Sequence, residues 1–346
     1  MQRHCVSSAW QTLSRWLLRA AVALGLGFSA PAGWAQDKPE NAFDGKMSSE
    51  QIDRLVDLWH QNFSGAHDLM DRRAAFEAMM AATPEPRRVQ TRHVDADGIA
   101  ADLILPARLH YSPGRRAILF VHGGGFYGGS LRTHRNVAAA LAKAASADVL
   151  LIDYRRVPEA VYPAQIQDTL TAYRWLLVSG YDAANIAIVG DSTGGNLAIE
   201  AVLRQMQAKR PLPASVVVMS PVTDLALTGA SLDEAGGRDP LVSRADLDLL
   251  AKSYLGDTAP ADPEASPLYA ELKGFPPLLI QVGSRESLLD DSLRLARKAA
   301  LADVAVTLEI WPGMVHQWQL FPFWVRDARR SNDSAAVFIE SHFAEH

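Results

Sequence analysis

Hydrophobic positions fall in two kinds of pattern along this chain. Short apolar runs stand at Ala117–Val121, Val149–Asp153, Ile186–Val189, Val216–Met219, Leu278–Val282 and Val306–Ile310. Between most of them, apolar residues recur at helical spacing, at about Leu131–Ala145, Ala164–Val178, Gly194–Met206, Arg244–Tyr254 and Leu289–Leu301, and Arg330–Phe343 ends the chain as a further helix. Strands alternating with helices predict a mostly parallel sheet covered on both faces, an α/β class fold. Ahead of this region, Val89–Val94 and Ile99–Leu105 flank Asp95-Ala96-Asp97-Gly98, the pattern of a hairpin. Earlier still, Ser48 with Gln51 has the form of a capping box, and Ile52, Leu55, Val56 and Trp59 follow at helical spacing. A second helical piece carries Leu69, Phe76, Met79 and Met80 until Pro84-Glu85-Pro86 stops it. Thr223–Leu272 is too long for a plain connection. It is expected to pack with the Ser48–Met80 helices as a cap, over residues of about 48–86 and 223–272 within one domain spanning 48–346.

Residues 1–35 break the pattern. Arg3, Arg15 and Arg19 precede or flank the apolar run Ala20–Phe28, small residues lead to Ala35, and no acid occurs before Asp37. This is the layout of a secretory signal peptide, cleaved after Ala35, with a polar linker over 36–47. The run is too short to span a bilayer comfortably, so no stable membrane span is expected after processing. The expected location is therefore periplasmic or secreted. Cys5, the only cysteine of the 346 residues, would leave with the signal, and the net charge would move from −5 to −8. A mildly acidic chain without a Lys/Arg-rich run is a poor partner for nucleic acid. The length allows a sizeable core without disulfide or metal staples.

The candidate chemistry centres on Gly190-Asp191-Ser192-Thr193-Gly194, followed by Gly195. This G-x-S-x-G form lies between a strand and a helix, the context of a nucleophile elbow, and makes Ser192 the candidate nucleophile. The pentapeptide alone is modest evidence: at ordinary glycine usage it arises by chance in about one chain in ten. Its bland reading is a glycine-rich turn with a capping serine. A second feature, His122-Gly123-Gly124-Gly125-Phe126, directly follows Ala117–Val121. The N–H groups of Gly124, Gly125 and Thr193 could form an oxyanion hole, with His122, Gly123 and Asp191 as supporting positions. A phosphate loop is disfavoured, because the G-x-G-x-x-G spacing and a following Lys-Ser/Thr are missing.

A serine nucleophile needs a base. Of ten histidines, His316 stands in a loop just beyond the last strand, where α/β sheets place their sites. Apart from His122, which is expected to orient the glycine loop, the others fall in helices, the hairpin or the tail and read as surface or packing residues. The acid that orients the base should lie between Ser192 and His316 in the chain, after Leu278–Val282. Glu286, Asp290 and Asp291 compete. Glu286 lies in the loop itself and is favoured by position, with Asp290 next; Asp290 and Asp291 open a helix, where acids are common for dipole reasons alone.

From about Arg73 to the C-terminus, these residues resemble the hormone-sensitive-lipase-like family of bacterial esterases, in the α/β-hydrolase superfamily. The resemblance rests on His122–Phe126; on Tyr154-Arg155-Arg156-Val157-Pro158-Glu159 with Tyr162-Pro163-Ala164 and Asp168; on Gly190–Gly195; on Ser220-Pro221 with Asp224-Leu225; and on Gly283–Asp290 and Gly313-Met314-Val315-His316. It implies an α/β-hydrolase fold and a serine esterase, and places the acid on Glu286. Two positions depart from the family pattern. Thr193 replaces the usual alanine and is expected to narrow the site. Ser287 replaces the usual proline, which is closer to the branch of ε-lactone hydrolases and acetyl-hydrolases.

The expected mechanism is attack by Ser192, proton transfer through His316, orientation of His316 by Glu286, and hydrolysis of an acyl-enzyme. Phe126, Tyr127, Trp59 and Phe63 are candidates to line an acyl pocket. No cofactor and no metal are expected, since no H-E-x-x-H or histidine pair is present. The expected partner is a small-molecule ester of short to medium chain, or a lactone on the same machinery. A non-catalytic ligand-binding protein of this fold is the remaining alternative, and a homodimer is the assembly allowed for.

Overall fold

A computed structural model describes residues 46–107, 115–234 and 239–344, and Gly45–His346 form one unit. The expected signal peptide, and the linker up to residue 45, lie outside the described residues. The first helix, α1, spans Lys46–Phe63 and α2 spans Leu69–Ala81. Ser48 thus lies in the first turn of α1, not at its cap: Lys46 and Met47 are both good helix formers and carry the helix further upstream. Asp68 caps α2 by accepting the N–H groups of Met70 and Asp71, both at 2.8 Å.

The hairpin is β1 (Val89–Asp95) and β2 (Ala100–Pro106), turned through Gly98 at φ +91°. Six strands follow: β3 (Ala117–Val121), β4 (Asp148–Ile152), β5 (Ile186–Asp191), β6 (Ser215–Met219), β7 (Leu278–Gly283) and β8 (Val306–Trp311). Between and after them run α3 (Leu131–Ala144), α4 (Ala164–Val178), α5 (Thr193–Gln207), the short α6 (Ser231–Glu234), α7 (Arg244–Leu255), α8 (Leu289–Leu301) and α9 (Arg326–His342). The last begins a turn before the expected Arg330. Among the described residues the strands form one sheet in the order β1-β2-β4-β3-β5-β6-β7-β8, antiparallel at β1-β2-β4 and parallel from there on.

Alternation along each strand sorts the core into two layers. Leu119 and Val121 of β3, with Ile188, Val216, Val218 and Ile280, face the side covered by α4, α5 and α8. Ile118 and Phe120, with Val149, Leu151, Val189, Val217 and Leu279, face α3 and α9. The second layer also takes Ile52, Leu55, Phe76, Met79 and Met80, so α1 and α2 are rooted in the core rather than resting on it. Every residue of β3 is fully buried. At about 2 kcal/mol for each large apolar side chain, this anchors the strand whose end carries His122.

Parallel register places the functional ends on one edge. Val121 pairs with Gly190, Asp191 with Met219, Met219 with Gln281, and Gly283 with Trp311. The loops after β3, β5, β7 and β8 therefore emerge side by side, at the carboxyl ends where such sheets hold their sites. No described helix is long and apolar enough to cross a membrane.

Candidate active site

Ser192 sits between β5 and α5 at φ +51°, ψ −121°, a strained conformation for a residue with a side chain. The strain persists because the turn has no room to relax. A Cβ on Gly194 would lie 2.0 Å from the carbonyl oxygen of Val121, and one on Gly190 would lie 2.2 Å from that of Gly194. The turn places Ser192 above the N-terminus of α5, whose positive end favours developing negative charge.

The loop after β3 is folded back by Gly124, Gly125 and Phe126, all at positive φ. Gly128 N–H donates to the Gly124 carbonyl at 2.7 Å and closes it. His122 is buried, stacks on Tyr154 at 4.2 Å and donates from Nδ1 to the Gly123 carbonyl. Burial holds its pKa below the ordinary histidine value. A neutral, enclosed imidazole of this kind shapes the loop. Gly124 and Gly125 face the cavity beside Ser192. Thr193 opens α5, so its N–H has no intrahelical acceptor. Its hydroxyl does not narrow the site as expected: the side chain is fully buried, does not line the cavity, and accepts the Phe126 N–H at 3.3 Å. The extra atoms tie the elbow to the glycine loop.

Asp191 joins three elements. Its carboxylate accepts the Gly123 N–H at 2.9 Å and the Gln317 side-chain N–H at 2.6 Å, and lies 3.2 Å from His134 Nε2 on α3. Burial pushes its pKa up, but His134, Gln317 and the Gly123 N–H outweigh burial and hold it below the ordinary carboxylate range. His134 and Gln317 were not singled out from the sequence. Their importance lies in contacts across 57 and 126 residues, which no local pattern reveals.

His316 Nε2 lies 2.9 Å from Ser192 Oγ, and His316 Nδ1 lies 2.9 Å from Glu286 Oε2. The other carboxylate oxygen, Glu286 Oε1, accepts the Ser220 hydroxyl at 2.8 Å and the Gly283 N–H at 2.6 Å. Glu286, not Asp290, thus meets His316. Asp290 instead accepts the Ser231 N–H at 3.0 Å, and Asp291 accepts the N–H groups of Thr223 at 2.6 Å and Asp224 at 3.0 Å. Both anchor the start of the 223–272 segment. Burial depresses the His316 pKa, but the hydrogen bond and charge of Glu286, with the charges of Asp239 and Asp191, more than offset it and leave it above the ordinary value.

Above these groups opens a cleft of about 370 Å³. Ser192, His316, Gly124 and Gly125 line its floor, while Trp59, Phe63, Phe76, Tyr127, Leu241, Val242, Leu247 and Leu250 supply apolar walls. Trp59 and Phe63 stack at 4.3 Å. Three of the four expected wall residues are there. Phe126 is not: it is fully buried and stacks on Tyr254 of α7 at 3.6 Å. The positive φ at Gly125 and Phe126 turns the chain over, so Phe126 enters the core while Tyr127 faces the cleft. Among the described residues of the long 223–272 segment, only those of 240–250 reach the cleft. Ala265 and Leu268, further along, receive hydrogen bonds from Asn196 of α5 and Lys298 of α8 at the side of the sheet. The two halves of the roof meet in an ion pair, Arg72 to Asp246 at 2.7 Å, and in the contact of His60 Nε2 with the Pro240 carbonyl at 2.9 Å. Among the described residues, no cluster of three or more His, Cys, Asp or Glu could hold a metal ion.

Residues 118–320 match the family model described as the alpha/beta hydrolase fold. An acetyl-hydrolase of Streptomyces hygroscopicus is 37% identical over 297 residues, 86% of this chain and 97% of that one. A solved esterase of the bacterial hormone-sensitive lipase family shares 37% identity with a TM-score of 0.81, over 85% of this chain and 99% of that one. The chain belongs to the hormone-sensitive-lipase-like esterases of the α/β-hydrolase fold. An esterase of Acinetobacter venetianus is also 37% identical, over 270 residues, 78% of this chain and 88% of that one. In this esterase family setting, the ordered motifs of the sequence and the parallel sheet describe the same architecture.

Proposed function

We propose that the chain is a serine carboxylesterase that hydrolyses short- to medium-chain acyl esters through an acyl-enzyme on Ser192. Membership of the family, and relatives named as esterases and acetyl-hydrolases, make it a carboxylic-ester hydrolase. The observation that carries the mechanism is the line of two 2.9 Å contacts from Ser192 Oγ through His316 to Glu286.

Ser192 attacks the ester carbonyl carbon while His316 Nε2 takes its proton. Glu286 holds the Nδ1–H tautomer and stabilises the imidazolium. The N–H groups of Gly124, Gly125 and Thr193 receive the oxyanion, each donor worth about 3 kcal/mol in comparable sites. His316 then protonates the leaving alcohol, and water, deprotonated by His316, releases the acid. The helices of 46–81 and the 240–250 stretch act as the cap, and their apolar walls take the acyl or alcohol chain. No cofactor enters the reaction.

The test is hydrolysis of p-nitrophenyl esters from acetyl to decanoyl, beside a panel of lactones, by wild type and Ser192→Ala. The substitution should lower kcat on the order of 10⁶-fold. Retained activity would remove Ser192 from the mechanism.

We further infer export to the periplasm or medium, supported by the basic start, apolar run and small residues of positions 1–35. Mass spectrometry of the mature protein should find its first residue near Gln36. A retained Met1 on the folded, active protein would rule this out.

A further inference from the structure

The loop that carries Glu286 is held from a side the catalytic steps do not use. Residue 287 is serine where the family motif has proline, which would offer neither an N–H nor a hydroxyl. Ser287 uses both. Its N–H donates to Asp239 Oδ2 at 2.7 Å, and its hydroxyl donates to the Val242 carbonyl at 2.7 Å. The other Asp239 oxygen, Oδ1, accepts the N–H groups of Leu241 at 2.9 Å and Val242 at 3.1 Å. One carboxylate therefore turns residues 239–242 and pins them to the residue beside Glu286. Leu241 and Val242 are also walls of the cleft. The pocket wall and the acid loop are bonded into one piece.

The charge of Asp239 acts on the same pair: it is among the groups that raise the pKa of both His316 and Glu286. Among the described residues, the other charges bearing on His316 are Glu286 itself, from the loop after β7, and Asp191, from the end of β5. Across the cleft, Arg72 and Asp246 are paired with each other. Arg285 lines a separate surface cleft with Arg326 and Arg330.

We propose that Asp239 is a positioning residue for the Glu286–His316 pair: it fixes the acid loop through Ser287 and keeps a negative charge against the residue that follows Glu286. This rests on the triad mechanism given above. A negative charge favours the imidazolium, and only neutral His316 can accept a proton. Removing the charge should let His316 become neutral at lower pH.

The experiment is the pH profile of kcat/KM for p-nitrophenyl acetate, with melting temperature measured alongside. Asp239→Asn should move the acid limb to lower pH by about 0.5–1 unit. Asp239→Glu, which keeps a charge, should leave the limb near that of wild type. An Asp239→Asn enzyme with an unmoved limb and only a lower melting temperature would overturn the proposal, leaving Asp239 a structural turn residue. Should Asp239→Asn not fold, Ser287→Pro decides. It restores the family's residue and cuts the clamp while sparing the Asp239 carboxylate. Its kcat should fall about tenfold with little change in KM, as for a slightly misplaced catalytic group. Unchanged kcat in Ser287→Pro would overturn the clamp. Ser192→Ala is run beside them: activity surviving that substitution brings down the triad itself, whereas a Ser192-dependent enzyme with an unmoved limb brings down only the role of Asp239.

Discussion

The floor and the roof of the cleft are built on different principles. The floor is backbone: the glycine loop after β3 and the elbow after β5, locked by carbonyl oxygens 2.0–2.6 Å from where side-chain carbons would be at Gly190 and Gly194. The roof is side chains from α1, α2 and 240–250, and its two halves are joined through the partly exposed pair Arg72–Asp246. Arg73, next along α2, fastens the helix more firmly, with both carboxylate oxygens of Glu159 and the carbonyls of Tyr127 and Val157 as acceptors. Close-packed backbone therefore fixes the shape of the floor, whereas side chains set the shape of the roof. On the proposed function, chemistry belongs to the packed backbone of the floor and selectivity to the side chains above it.

The sharpest test of this division is on the floor's hydrogen-bonded line. Glu286→Gln should lower kcat on the order of 10³–10⁴-fold while the protein stays folded. It should also move the acid limb of kcat/KM to lower pH, because the carboxylate that stabilises the imidazolium is gone. Asp290→Asn, whose wild-type carboxylate accepts the Ser231 N–H, should keep kcat near wild type. Equal losses in the two variants would mean that the acid has been misassigned.

Next in size is the backbone itself. Gly194→Ala drives a Cβ into the carbonyls of Val121 and His122. It should cost about 3 kcal/mol or more of stability, read as a fall in melting temperature or loss of soluble protein. A stable, active Gly194→Ala protein would show that the floor can yield, and the contrast with the roof would collapse.

The roof should respond more mildly and selectively. Trp59→Ala should lower kcat/KM for octanoyl esters about tenfold relative to acetyl esters, since each lost apolar contact discriminates only modestly. A uniform loss across chain lengths would place Trp59 outside the acyl path. The smallest effect belongs to Arg72–Asp246. A double-mutant cycle on melting should give a coupling of about 1 kcal/mol or less, as for other partly exposed ion pairs. A much larger coupling would make the roof a rigid part of the site.

The sequence was most legible where chemistry is local. β3, α4 and α8 have the boundaries that their apolar patterns predict, because a buried strand or an amphipathic helix is determined by its own residues. Ser192 was legible because an elbow needs small residues within two positions on either side. Glu286 stood in competition with Asp290 and Asp291 because all three occupy one short stretch. Only the partners of each acid, 30 to 68 residues away, separate them.

What the sequence determined by itself is the order of elements, the strained serine, the glycine loop and the pair of loops that carry acid and base, for each is written in neighbouring residues. Only the tertiary structure decided where the side chains of those loops go. It sent Phe126 into the core and Tyr127 into the cleft, turned the Thr193 hydroxyl onto the glycine loop, and gathered His134 and Gln317 around Asp191. It also set Asp239 of the roof against Ser287 of the acid loop. Such contacts depend on which elements the parallel sheet brings together, a property of the whole chain that no single segment encodes.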